Sequence, residues 1–119
     1  MPFRAILQSL IDDLDGSIGA LFLDWDGELV ELVGPGHERY DLHLVGAYQG
    51  IFLNQLNNVV SDLSLGSLQT FRVAFEKSTF YNCTLSDGYY LVLIVENDVP
   101  EWLAWDTLRK GRKRLLEEM

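Results

Sequence analysis

The side chains able to do chemistry are few and thinly spread. His37, Glu38, Asp41 and His43 fall within seven positions and combine two imidazoles with two carboxylates, donor types that hold zinc. Their spacing matches no strong ligand pattern, and they straddle a loop and a helix start, where such residues are ordinary. No metal is expected. Asp24 and Asp26 offer the paired carboxylates of acid–base catalysis, but they flank Asp26-Gly27, where Asp serves turn formation. Serine, histidine and aspartate are all present, yet no Gly-x-Ser-x-Gly elbow exposes a nucleophile. No glycine-rich loop followed by Lys-Ser/Thr is present to cradle a phosphate either. Cys83, the single cysteine, sits in a strand-like run beside bulky neighbours and reads as packing rather than a nucleophile. The expectation is a chain that is not an enzyme and carries no cofactor.

Those residues sit in a chain of 119, the size of one domain, which can bury about two thirds of its unfolded surface without a metal or disulfide. At 48% hydrophobic and 23% charged, it is not disordered, collagenous or of low complexity. The longest apolar runs, Ile18–Leu23 and Tyr89–Val95, fall far short of the ~20 residues a bilayer requires. The opening residues lead into a helical pattern bearing Asp12 and Asp13 rather than a signal-peptide core. One cysteine cannot form an internal disulfide, which fits a cytoplasmic protein. Net charge is −9, unevenly placed: residues 1–108 carry −12, while 109–119 carry +3 through Arg109, Lys110, Arg112, Lys113 and Arg114. So acidic a body repels phosphate backbones and anionic headgroups, which argues against nucleic acid and membrane insertion. The basic cluster reads as a complement to a helix C-terminal dipole.

Periodicity supplies the elements. Ile6, Leu7, Leu10, Ile11 and Leu14 make one stripe of a helix over about 3–14, ended by Asp15-Gly16. Two β-rich runs, 17–25 and 28–33, meet at Asp26-Gly27, a hairpin signal. After Gly34-Pro35-Gly36 comes a long helix over about 41–63, with Asp41 as its cap. Three strands follow at 68–76, 79–85 and 88–95, joined by turns short enough to demand antiparallel hairpins. Pro100 opens a last helix over 101–118, on which Trp102, Trp105, Leu108, Leu115 and Met119 read as core. The first and last strands are apolar on both faces and belong mid-sheet, while the second and third carry polar faces and belong at the rims. The fold class is therefore α+β, αββαβββα. A five-stranded antiparallel sheet of order 2-1-5-4-3 has helices on both faces, as one domain over 1–119.

Two segments carry surplus surface. On the middle helix, Leu44, Tyr48, Ile51, Phe52, Val59 and their apolar neighbours spread over roughly 200° of arc, whereas packing on one sheet needs about 100°. Its remaining face holds Gly46, Ala47, Gly50, Asn54, Asn57 and Ser61, and nothing from Val45 to Ser61 is charged. A strip of small residues lets another backbone approach, so an intermolecular contact is expected. The run 68–76 reads as a long edge strand without proline or glycine, a template for pairing with its own copy about a two-fold axis.

The element order, the hairpin at Asp26-Gly27, the uncharged middle helix and the run Leu85-Ser86-Asp87-Gly88-Tyr89-Tyr90-Leu91-Val92-Leu93 resemble the roadblock/dynein-light-chain domain. The likeness spans about residues 3–116 and is greatest to the stand-alone bacterial and archaeal versions; profilin-like domains share related architecture. The resemblance implies a non-catalytic homodimer whose third strands join into a ten-stranded sheet with the two middle helices on one face. It also implies a partner, a small Ras-like GTPase that such proteins activate or scaffold; eukaryotic relatives are dynein subunits. Carried over by position, Gln69, Phe71, Arg72, Val73 and Ala74, with Tyr48 and Phe52, fall at the dimer interface. Gly46, Ala47, Gly50, Asn54 and Asn57 fall on the face offered to a partner. The activating relatives do not donate an arginine, so Arg72 is not an arginine finger. The Arg109–Arg114 cluster and the Gly34-Pro35-Gly36 loop depart from the family pattern. The alternative reading is a small-molecule-sensing α/β domain of similar shape, which would need a concave pocket with convergent polar groups.

Overall fold

Asp24 organises the first hairpin: its carboxylate accepts hydrogen bonds from the backbone N–H groups of Asp26 and Glu28, both at 2.9 Å, while Gly27 takes a positive φ of 79°. The carboxylate expected to serve a turn does so. The computed structural model describes residues 2–34 and 42–119, with His43 described by its backbone alone. The possible metal group at His37, Glu38, Asp41 and His43, the Pro35-Gly36 break and the Asp41 cap lie outside the described residues.

The elements are α1 (Pro2–Asp13), β1 (Ser17–Leu23), β2 (Leu29–Val33), α2 (Leu42–Asp62), β3 (Thr70–Ala74), β4 (Ser78–Thr84), β5 (Tyr90–Glu96) and α3 (Glu101–Glu118). The sheet runs β2-β1-β5-β4-β3, antiparallel throughout, as the sequence implied. From Ile18 to Leu23 and from Tyr90 to Val95, every residue is buried. These strands need a helical layer on each face because their side chains are apolar on both.

On one face, α1 and α3 pack together over Ala20, Phe22, Tyr81, Cys83, Leu91 and Leu93. Their approach is close: a Cβ at Gly111 of α3 would stand 2.6 Å from Leu10 Cδ1 of α1. The buried stripe of α3 is Ala104, Thr107, Leu108, Gly111 and Leu115. Trp102 and Met119 were expected in the core but are exposed, Trp102 by 70% because it lies off that stripe, and Met119 because it lies beyond the last residue of the helix. On the other face α2 stands alone, covering Leu21, Leu23, Leu32, Tyr90, Val92 and Ile94 with Leu42 and Leu53.

Two expectations are corrected. β3 is five residues long, not nine, although Thr84 N–H still donates to Gln69 C=O and Phe75 N–H to Ser78 C=O beyond its ends. The bases of α3 do not cap its dipole, since none lies in the last turn. They are spent locally instead. Arg109 and Lys110 pair with Asp106 at 3.2 and 3.0 Å, holding its carboxyl below the ordinary range, chiefly through the hydrogen bond from Lys110. Arg112 Nε donates to the Thr84 carbonyl at 2.8 Å, and Arg114 donates to Ser9 Oγ.

Candidate interaction surface on α2 and β3

The helical wheel of α2 divides into three arcs, and the fold assigns each a neighbour. Leu42, Gly46, Gln49, Gly50 and Leu53 are buried and turn to the sheet and the β1–β2 hairpin. Leu44, Tyr48, Ile51, Phe52, Val59 and Leu63 are apolar and exposed, Tyr48 by 65%. Ala47 and Asn54 lie on the flank between them, both exposed. The 200° arc read from sequence is thus half core and half open surface.

The small-residue strip does another job from the one expected. A Cβ on Gly50 would lie 2.0 Å from the Gly27 carbonyl oxygen, and one on Gly27 would lie 2.7 Å from Gly50 Cα. Two glycines let the hairpin turn and the helix touch backbone to backbone. Gly46 faces Leu29, Asn54 Nδ2 donates to Asp26 C=O at 3.1 Å, and Asn57 Nδ2 donates to the Tyr90 hydroxyl. Gly46 and Gly50, expected to meet a partner, are therefore buried against their own chain. The sequence showed that a backbone could approach this face but not whose backbone it was.

The open arc of α2 continues onto the sheet rim. Leu44, Val45, Tyr48, Gln49 and Phe52 form one wall of a groove of about 360 Å³ whose other wall is Val73, Phe75 and Phe80. Phe52 and Phe71 pack with ring centroids 5.7 Å apart, and Phe75 and Phe80 at 5.2 Å. Beneath them Gln49 Nε2 donates to Asn82 Oδ1 at 2.6 Å, both residues buried, which fixes the seating of α2 on β4. Phe75 and Gln49 were missed in the sequence. Phe75 sits next to the β3–β4 turn, where apolar residues carry no periodic signal. Gln49 was hidden because an uncharged helix gives no hint which amide is buried.

β3 forms the rim itself, and among the described residues no strand pairs with its outer edge. Phe71 and Val73, half-buried, face α2; Thr70, Arg72 and Ala74, exposed, face the α3 side. Arg72 lies 5.7 Å from the centre of the Tyr81 ring, and its Nε donates to the Tyr81 hydroxyl at 3.4 Å, which raises the guanidinium pKa further. Asn97 Nδ2 donates to the carbonyls of Phe75 and Glu76 at 2.9 and 2.7 Å, clamping the turn that ends the edge. Gln69 is exposed at the other end.

Burial pushes the Cys83 thiol up to about 12, so at neutral pH it is protonated and inert. No group of three His, Cys, Asp or Glu side chains converges among the described residues, and no described helix is long and apolar enough to cross a membrane.

The sheet order, the paired helices on one face and the lone helix on the other define a roadblock/LC7 fold. Among solved structures, the chain is similar to Myxococcus xanthus MglB, with a TM-score of 0.87 at 14% identity over 99% of this chain and 94% of that one. It is similar to a roadblock/LC7 domain from Streptomyces avermitilis, at 0.83 and 11% over 97% and 95%. It is also similar to MglC from Myxococcus xanthus, at 0.72 and 24% over the full length of both chains. No protein-family model and no curated protein matches the sequence.

Proposed function

We propose that this chain is a non-catalytic, homodimeric interaction module of the cytoplasm that binds and regulates a small Ras-like GTPase, as activator or scaffold. The fold supports the class of protein. The observation that carries the reading is the continuity of two unfinished surfaces, the apolar outer arc of α2 and the bare edge of β3, across one groove. A second copy set antiparallel along β3 would complete a ten-stranded sheet and bring two α2 helices side by side, covering Tyr48, Phe52, Phe71 and Val73. Ala47 and Asn54, on the flank of α2 away from the groove, would remain available to the GTPase.

The backbone of β3 makes the test selective. Phe75 N–H donates to Ser78 C=O, and Gln69 C=O accepts from Thr84, so by alternation Val73 bonds to β4 while Ala74 aims its N–H at the open edge. Ala74→Pro removes an outward donor and spares the β3–β4 ladder, whereas Val73→Pro would break the chain's own sheet. Light scattering should give the mass of two chains for the parent and one for Ala74→Pro. An unchanged mass would move the interface elsewhere. Binding and hydrolysis assays with a co-encoded Ras-like GTPase test the second half, and no binding in either nucleotide state would remove it.

A further inference from the structure

Resting on the dimer reading above, we propose a single register for it: Val73 lies on the two-fold axis opposite its own copy, with Phe71 against the copy's Phe75 and Arg72 diagonal to the copy's Glu76. The geometry of an edge strand limits the registers to a few. Residues paired across antiparallel strands share a face of the sheet. A two-fold axis normal to the sheet keeps each residue on its own face, so one residue must sit opposite itself. Thr70, Arg72 and Ala74 alone of the strand turn their backbone groups outward, which leaves Phe71, Arg72, Val73 or Ala74 as the centre.

The side chains decide among the four. Centring on Arg72 sets each guanidinium directly against its twin, a destabilising like-charge pair. Centring on Phe71 moves Phe75, an exposed phenylalanine, opposite Ser67, where it gains no apolar partner. Centring on Ala74 shifts the overlap into the Glu76-Lys77 turn and leaves the outward groups of Thr70 unpaired. Centring on Val73 separates the two Arg72 side chains to a diagonal, gives Phe75 an apolar partner and carries the overlap only as far as Glu76 of the turn, opposite Thr70. Arg72 then faces Ala74, small enough to leave it on Tyr81, and Glu76 of the copy lies diagonally within reach of a long side chain. Glu76 has no ion-pair partner in its own chain among the described residues, and Asn97 fixes the backbone that carries it. On the α2 side, two Phe71–Phe75 pairs flank a central Val73–Val73 contact, closing the groove from both ends.

Cysteine cross-linking reads the register directly. Residues opposite one another across a non-hydrogen-bonded pair stand about 4.5 Å apart at Cα, inside the range a disulfide spans. Arg72 and its copy would stand ~7–8 Å apart, at or beyond that range, and Phe71 and its copy much further. Phe71→Cys, Arg72→Cys, Val73→Cys and Ala74→Cys are oxidised mildly and run on non-reducing gels, with the parent chain as control because Cys83 is buried. Val73→Cys should cross-link nearly completely and the others little. A dimer by light scattering in which Arg72→Cys, Phe71→Cys or Ala74→Cys links best, or in which none links, overturns the register while leaving the dimer standing. A monomeric parent chain overturns both. Arg72→Glu and Glu76→Arg should each weaken the dimer about five-fold, and the pair together should restore it; failure of the double exchange to restore it also counts against the register.

Discussion

The two faces of the sheet are covered by unequal means. Under α1 and α3, Leu7, Leu10, Leu108 and Leu115 interlock and are at most 4% exposed, so that layer is sealed by its own chain. Over the opposite face a single helix does the work of two, and its outer arc from Leu44 to Leu63 stays in water along with Phe75 at the rim. A soluble domain rarely leaves a contiguous apolar band open unless something covers it. The difference teaches that a fold can be complete in topology while one of its layers is only half built.

The sharpest way to break that contrast is to cut equally into both layers. Leu108→Ala on the sealed face should lower unfolding stability by about 3 kcal/mol in urea titrations, because its neighbours cannot collapse into the space. Tyr48→Ala on the open face, compared with Leu108→Ala in the monomeric Ala74→Pro background, should change stability by less than about 0.5 kcal/mol. Equal losses would mean that the faces do not differ as described.

A smaller effect sharpens the account of α2. Gly50→Ala forces a Cβ onto the Gly27 carbonyl and should cost about 2 kcal/mol, since backbone must move on both sides. Gly46→Ala places its methyl 3.4 Å from a flexible Leu29 methyl and should be neutral or slightly stabilising through helix propensity. Thermal melts of the two variants distinguish a backbone lock at Gly50 from a general need for small residues.

The smallest effect probes how dry the sealed face is. The folded Cys83 thiol keeps its proton until about pH 12, whereas the unfolded thiol loses it near the ordinary value of ~8.5–9. The unfolded state therefore binds fewer protons above that value, and stability falls as pH rises through it. The loss between pH 8 and pH 9 should be about 0.5 kcal/mol and should vanish in Cys83→Ala. Thiol labelling at pH 8 should likewise follow unfolding; rapid labelling of the native protein would show that the layer is open.

Much of this architecture was legible in the residues. The double-faced strands β1 and β5 announced a central position, and Asp26-Gly27 announced its hairpin, because both signals are local. β3 was overestimated, since apolar residues such as Leu68 and Phe75 look alike whether they pair in a ladder or pack beside it. Trp102 was misplaced because a loose stripe on α3 fits more than one rotation of the helix, and only Leu10 nesting at Gly111 selects between them.

The sequence by itself determined the element order, the strand order and the presence of more apolar surface than one small domain can bury, since these follow from periodicity and turn chemistry within short windows. Tertiary structure alone decided which part of the α2 arc is open, that Gly46 and Gly50 serve the chain's own hairpin, and that the backbone groups of Thr70, Arg72 and Ala74 aim outward. Those facts depend on how elements distant in sequence are rotated against one another. Steric contact between backbones sets that rotation, and no pattern along the chain encodes it.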